Sequence, residues 1–364
     1  MKNLRLLGLT LLASIFLISC DDNTEGENDL SYEVPSTYDF ENVSYTGQTQ
    51  RLDMLDELTV YMKTANNGAV LDAQKMLDMY ANENGAFEEA SLNEADSKEL
   101  ENKTVEGEVS RFKTFIRDFA AATVEANGGV GSNGTPGVVV SNDGSAQYFF
   151  DENGFEHIQL IEKGLMGACF YFQANSIYLS PGKMDVDNEE IIEGEGTAME
   201  HHWDEAFGYL GVPTDFPTNN DGTRFWGKYS NGRDELLNTN EALMNAFITG
   251  RAAISNKDLD TRDEQIEIIR NEWERVSAAT AVHYLNGGIA SFADDAIRNH
   301  VISEAWAFIY SLKFNPNKKL TNTEIEALLA LLGTNFYEIT TDNINAVKAT
   351  LVSTYGFEEV QDQL

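Results

Sequence analysis

Apolar residues recur at steps of three and four through most of this chain, and that period suits one face of a helix and little else. Residues 48–65 place Leu52, Leu55, Leu58, Tyr61 and Met62 on one side. Residues 106–126 repeat the pattern with Val109, Phe112, Phe115, Ile116, Phe119 and Ala120. The same spacing predicts helices over 156–174, 189–210, 233–254, 261–285, 289–314, 323–332 and 343–355. At the start of 323–332, Thr323 with Glu326 three residues on has the form of a capping box. Gly137-Val138-Val139-Val140 is a β-branched run set between Gly-rich turn clusters, so it predicts a small hairpin on a long loop. A second long loop, 211–231, holds Pro213, Pro217 and Asn219-Asn220-Asp221-Gly222. It parts the helices into two groups. The pattern predicts an all-α protein of two tandem helical-bundle repeats, residues 39–225 and 226–364, with long irregular loops between helices.

Charge narrows the function. The 364 residues carry 60 Asp and Glu against 25 Lys and Arg, a formal net charge of −35. Such a surface repels phosphate tracks and anionic lipid, which excludes nucleic acid as a partner. A hydrophobic share of 42% is that of a folded protein, so the acidity does not mean disorder.

The first 20 residues set the compartment. Lys2 and Arg5 precede an apolar run, Leu6 to Ile18, that is too short to span a bilayer and the right length for a signal-peptide core. Leu17-Ile18-Ser19-Cys20 resembles the lipobox of bacterial lipoproteins. Residues 1–19 are then a removable signal and Cys20 the lipidated residue. Residues 20–38 open on an acidic, aperiodic stretch that predicts a flexible tether. An acidic run after the lipidated Cys resembles the export signal for the outer face of the outer membrane. The expected location is the cell outer membrane, lipid-anchored and surface-exposed. With Cys20 acylated, Cys169 has no disulfide partner, and its setting of small and apolar residues marks it as a core thiol.

One string recurs. His201-His202-Trp203-Asp204-Glu205-Ala206-Phe207-Gly208-Tyr209 and His300-Val301-Ile302-Ser303-Glu304-Ala305-Trp306-Ala307-Phe308 both read His-x-x-x-Glu-Ala-aromatic-small-aromatic, 99 residues apart. The recurrence suggests an internal duplication. In that register His202 replaces Val301 on a helix stripe, and Glu205 lies one turn on. A His and a carboxylate at i, i+3 on an apolar stripe need partners. They can bind a metal, shuttle a proton or satisfy each other.

The chain here resembles the imelysin-like proteins, whose signature is Gly-x-His-x-x-Glu in a helical protein of two bundle-like repeats. His202-Trp203-Asp204-Glu205 supplies His-x-x-Glu, and the Gly position is Glu200. The closer likeness is to a branch of uncharacterised outer-membrane lipoproteins of Gram-negative bacteria, carried by Asp39-Phe40-Glu41-Asn42-Val43, by Gln159-Leu160-Ile161-Glu162-Lys163-Gly164 and by the His-His-Trp-Asp-Glu string. The resemblance implies a binding component in iron or other nutrient acquisition, with a TonB-type receptor or another uptake protein as partner.

For a metal at His202 and Glu205 the ligand types suit iron or zinc, and further ligands would come from Glu162, His201, His283 or His300. The competing expectation is a structural His–Glu pair. Glu304 has Val301 at i−3, so the second copy, with His300, reads as a degenerate counterpart. The alternative functions are a metallopeptidase of the imelysin type and a non-catalytic adhesion or scaffold lipoprotein whose His–Glu pair is structural; for the peptidase, His-Glu-x-x-His and Gly-x-Ser-x-Gly are absent from the sequence, and no nucleophile, base and orienting group can be named. Trp203, Phe207, Trp226, Trp273 and Trp306 are expected to fill core. If Cys20 carries the acyl chains, Cys20→Ser moves the protein from the membrane pellet to the soluble fraction; a variant that stays in the pellet refutes the lipid anchor.

Overall fold

The structure, a computed structural model, describes residues 30–95 and 97–364. The signal segment, Cys20 and the first part of the tether lie outside the described residues. Val34–Leu364 forms one compact unit. Tyr38, assigned by the sequence to the tether, is buried: its ring stacks on Phe207 and its backbone N–H donates to the Thr214 carbonyl. The ordered unit therefore begins several residues before the expected end of the tether.

The unit is all-α apart from one hairpin. Its longer helices are α1 (Thr46–Lys63), α2 (Ala73–Ala81), α3 (Val109–Ala126), α4 (His157–Leu165), α5 (Ala198–Gly208) and α6 (Phe225–Leu237). They continue as α7 (Thr239–Ser255), α8 (Leu259–Ala290), α9 (Asp295–Ser311), α10 (Asn322–Leu332) and α11 (Thr341–Tyr355). Strands β1 (Gly137–Val140) and β2 (Gln147–Phe150) pair antiparallel with Gly137 opposite Phe150, the small hairpin the sequence predicted. Among the described residues no helix is long and apolar enough to cross a membrane.

Helix α8 has 32 residues and is about 48 Å long at 1.5 Å per residue. It buries Ile266, Ile269, Trp273, Val276 and Ala279 and packs between α7 and α9. Trp203, Trp226 and Trp273 are fully buried, and Trp226 meets Trp273 edge-on at 6.0 Å. Phe207 is buried with them, whereas Trp306 is half-buried against Phe115 and Tyr310. Cys169 lies in the core as expected, its thiol pushed up to about 12 by burial.

Four departures from the predicted elements have local causes. Helix α2 was missed; its signals are Asp72, which caps the Gln74 and Lys75 N–H groups, and buried Met76, Met79 and Tyr80. Helix α5 begins at Ala198 rather than near residue 189, because Gly194 and Gly196 take φ of +82° and +75°, outside the helical region. The predicted helix over 233–254 is broken at Asn238, whose left-handed φ of +53° ends α6 and starts α7. The capping box of α10 is formed by Thr321 and Glu324, not Thr323 and Glu326.

Past Leu165, α4 continues as two π-helical turns, Met166–Tyr171 and Gln173–Tyr178. A π-turn shifts the i→i−4 ladder and frees carbonyls for outside donors. The Trp226 indole N–H donates to the Met166 carbonyl at 2.8 Å, and Arg270 donates to the Asn175 and Leu179 carbonyls. Gly167 lets this segment approach α9: a Cβ there would stand 2.1 Å from Ser311 Oγ and 2.9 Å from its Cα. Backbone must move to admit even a methyl group, so Gly167→Ala is expected to cost about 1–3 kcal/mol in a urea denaturation series. An unchanged midpoint would show that the approach of α4 to α9 is not constrained there.

Candidate functional site

The His-His-Trp-Asp-Glu string forms α5, which starts with a capping box. Thr197 Oγ1 accepts the Glu200 N–H, and the Glu200 carboxylate accepts the Thr197 N–H. Glu200, in the signature's Gly position, also takes Arg251 Nη1 at 2.6 Å. Beside it Asp204 is wholly buried and accepts Tyr38 Oη at 2.6 Å and Arg251 Nε at 3.0 Å. Burial raises the Asp204 carboxyl to about 6 against the pull of Arg251. This buried trio joins the N-terminal segment, α5 and α7.

His202 and Glu205 do pair, with Nδ1 to Oε2 at 3.0 Å. Gln48 Nε2 donates to Glu205 Oε1 at 2.9 Å, and His201 Nε2 lies 3.8 Å from Oε2. Burial opposes the charge on Glu205, but these donors outweigh it and hold the carboxyl below its ordinary value. The second nitrogen of His202, Nε2, lies 3.4 Å from Lys183 Nζ. Both ring nitrogens of His202 face side chains of the chain itself, so iron or zinc would have to displace one of them. Among the described residues, no group of three or more His, Cys, Asp or Glu side chains is placed to hold a metal. His283 lies apart, its charge disfavoured by burial and by Arg233.

The other site candidates come together elsewhere. Glu162 of α4 and His300 and Glu304 of α9 line a cleft of about 510 Å³, within the range of small-molecule sites. Helix α1, the hairpin, α6 and α8 complete its walls with Thr59, Tyr148, Tyr229 and Tyr284. Glu162, His300 and Glu304 share no hydrogen-bond or ion-pair partner with His201, His202 and Glu205 among the described residues.

The cleft floor is charged and buried. Lys163 Nζ lies 2.8 Å from Glu162 Oε1 and 3.8 Å from Glu304 Oε1, with all three side chains near 10% exposed or below. Burial disfavours the Lys163 ammonium, but Glu162 and Glu304 outweigh it and raise its pKa. Burial likewise works against the Glu162 charge, and Lys163 reverses the shift. Glu156, 1% exposed, meets His300 Nδ1 at 2.5 Å, while the Tyr148 ring stacks on the imidazole at 4.0 Å.

The floor is not self-sufficient in hydrogen bonds. Glu162 Oε2, Glu304 Oε2, Gln159 Oε1 and Thr59 Oγ1 are buried without a partner, and all four residues line this cleft. A buried polar atom left unpaired costs on the order of 1–3 kcal/mol. Thr223 Oγ1, on the same lining, is a fifth, and together they leave the cleft with hydrogen-bonding capacity for a partner from outside the chain. Lys163, Gln159, Tyr229 and Tyr284 had not been singled out from the sequence. For Gln159 and Lys163 the available signal was polar residues inside the apolar run Ile158–Leu165, every residue of which is buried.

A family model described as a domain of unknown function (DUF4856) matches residues 35–358. No curated protein and no solved structure matches the chain.

The Glu156–His300 pair sets a pH dependence. Burial disfavours the imidazolium, but Glu156 outweighs it and raises the His300 pKa above 6.5. A raised folded-state value adds stability that is complete below the unfolded value and is lost as pH rises through the folded one. Glu156→Gln is expected to lower the His300 titration midpoint, followed by NMR of the imidazole protons, and to remove that part of the pH-dependent stability. An unmoved midpoint would refute the pairing.

Proposed function

We propose that this chain, which belongs to the family described as a domain of unknown function (DUF4856), is a non-catalytic binding lipoprotein that captures a small polar nutrient in the cleft over Glu162, Lys163 and Glu304. It would hang from the outer membrane through acylated Cys20 and pass its cargo to a TonB-type receptor or another uptake protein. The likeness to imelysin-like proteins and the lipobox support the nutrient-uptake setting. The observation that carries the binding reading is the set of unpartnered buried acceptors gathered in the lining of one cleft. A protein that spends stability on unpaired polar atoms recovers it when a ligand supplies the donors.

In this reading His202 and Glu205 are a clasp rather than a metal site, holding α5 to α1 through Gln48. The metallopeptidase alternative finds no support among the described residues, where no group of three or more His, Cys, Asp or Glu side chains is placed to hold an ion.

The test is thermal stability of the purified mature chain against a library of polar metabolites. A true ligand at a hundred times its Kd adds about 2.7 kcal/mol, a shift of several degrees in Tm. Thr59→Phe, which crowds the cleft wall, is expected to abolish the shift. A library with no stabilising compound, or a shift indifferent to Thr59→Phe, would refute the cleft as the site.

A further inference from the structure

We infer that the cleft recognises a neutral, hydroxyl-rich ligand, a hexose ring that is free or at the end of a glycan. This inference rests on reading the cleft as the binding site, and it follows from three properties of the lining.

The first is charge. Acids outnumber bases 60 to 25 in the chain as a whole. The lining departs from that surplus: its carboxylates are Asp56, Glu156, Glu162 and Glu304, matched in number by Lys63, Lys163, Arg224 and Lys228, with the His300 imidazole paired to Glu156. A site for a phosphate or sulfate would carry a local excess of bases, and a site for a cation would carry the acidic excess found elsewhere. Balanced charge suits a ligand without net charge.

The second is the hydrogen-bond inventory of the floor. Glu162 Oε2, Glu304 Oε2 and Gln159 Oε1 can only accept, and Thr59 Oγ1 can do both. The ligand must therefore bring several donors close together. The Lys163 ammonium beside those carboxylates donates, so the ligand must also accept. A hydroxyl group does both, and neighbouring hydroxyls on one ring supply donors at short spacing. An ammonium or a metal ion would satisfy the carboxylates, but it would stand beside the buried charge of Lys163 in a low-dielectric floor. A ligand carboxylate would meet Glu162, Glu304 and Glu156.

The third is the walls. Tyr229 and Tyr284 stand half-buried on the cleft, offering ring surface beside the polar floor. Aromatic rings next to convergent polar groups match a ring that is apolar on its C–H face and polar at its rim. Burial raises the pKa of both phenols, and the Tyr284 hydroxyl, which neighbours Tyr229 and Glu304, joins the wall to the floor.

The experiment is titration calorimetry of the mature chain with glucose, galactose, mannose, maltose, lactose and cellobiose. Putrescine, lysine and inorganic phosphate serve as charged contrasts, and pull-down on neutral polysaccharides separates a glycan end from a free sugar. The expected result is binding of at least one neutral sugar, weakened about tenfold or more by Glu304→Ala. Thr59→Val, which keeps the side-chain volume and removes one orphan hydroxyl, is expected to weaken it in the same direction. Retention on polysaccharide without binding of free sugars would assign the glycan source. Binding of putrescine, lysine or phosphate, Glu304-dependent and with every sugar silent, would overturn the ligand class and leave the cleft standing. Sugar binding indifferent to both variants would overturn the inference, and silence of every probe would overturn both readings.

Discussion

A carboxylate taken out of water must be met by donors, and much of this molecule is arranged around that requirement. Arg251 is 1% exposed and answers Glu200 and Asp204 together, so the start of α5 is fixed to α7 and, through Tyr38, to the segment ahead of α1. Lys163 answers Glu162 and Glu304 in the same way across α4 and α9. Tyr355 and Asn315 answer Glu274, whose carboxyl burial pushes up, and so bind the C-terminal helix to α8. Removing one member of such a group typically costs about 3–5 kcal/mol, because the other charge stays buried. In a chain this acidic, the few buried bases act as fixed points of the fold.

Seen in these terms, the two copies of the recurring His-x-x-x-Glu string part company. In α5 the glutamate is fully engaged by Gln48 and His202, and His202 is engaged at both nitrogens. In α9 the glutamate has one oxygen near Lys163 and the other unpartnered beside a cleft. The copy with Val301 in place of the second histidine is the one with unspent hydrogen-bonding capacity.

The cleft depends on a backbone device as well as on charge. The two π-turns after α4 free carbonyls that Trp226 and Arg270 occupy, and Gly167 allows close approach to Ser311 of α9. That approach holds Glu162 and Lys163 opposite Glu304. Helix α6, positioned by the Trp226 hydrogen bond, brings Tyr229 to the wall.

The sequence by itself determined the helical class, most helix positions, the short hairpin and the burial of Cys169, because each follows from residues close together in the chain. It also picked out His202, Glu205 and Glu304 as polar residues on an apolar stripe, and Glu162 and His300 as further ligand candidates. What it missed locally were weaker signals of the same kind, such as the Asp72 cap and the left-handed Asn238. The π-turns had no local signal, since they are held by Trp226 and Arg270 from other helices. Tertiary structure alone decided which glutamates found partners, because donors such as Gln48 for Glu205 and Lys163 for Glu304 come from other helices, whose packing no short-range pattern encodes. The candidate site lies where that pairing was left incomplete.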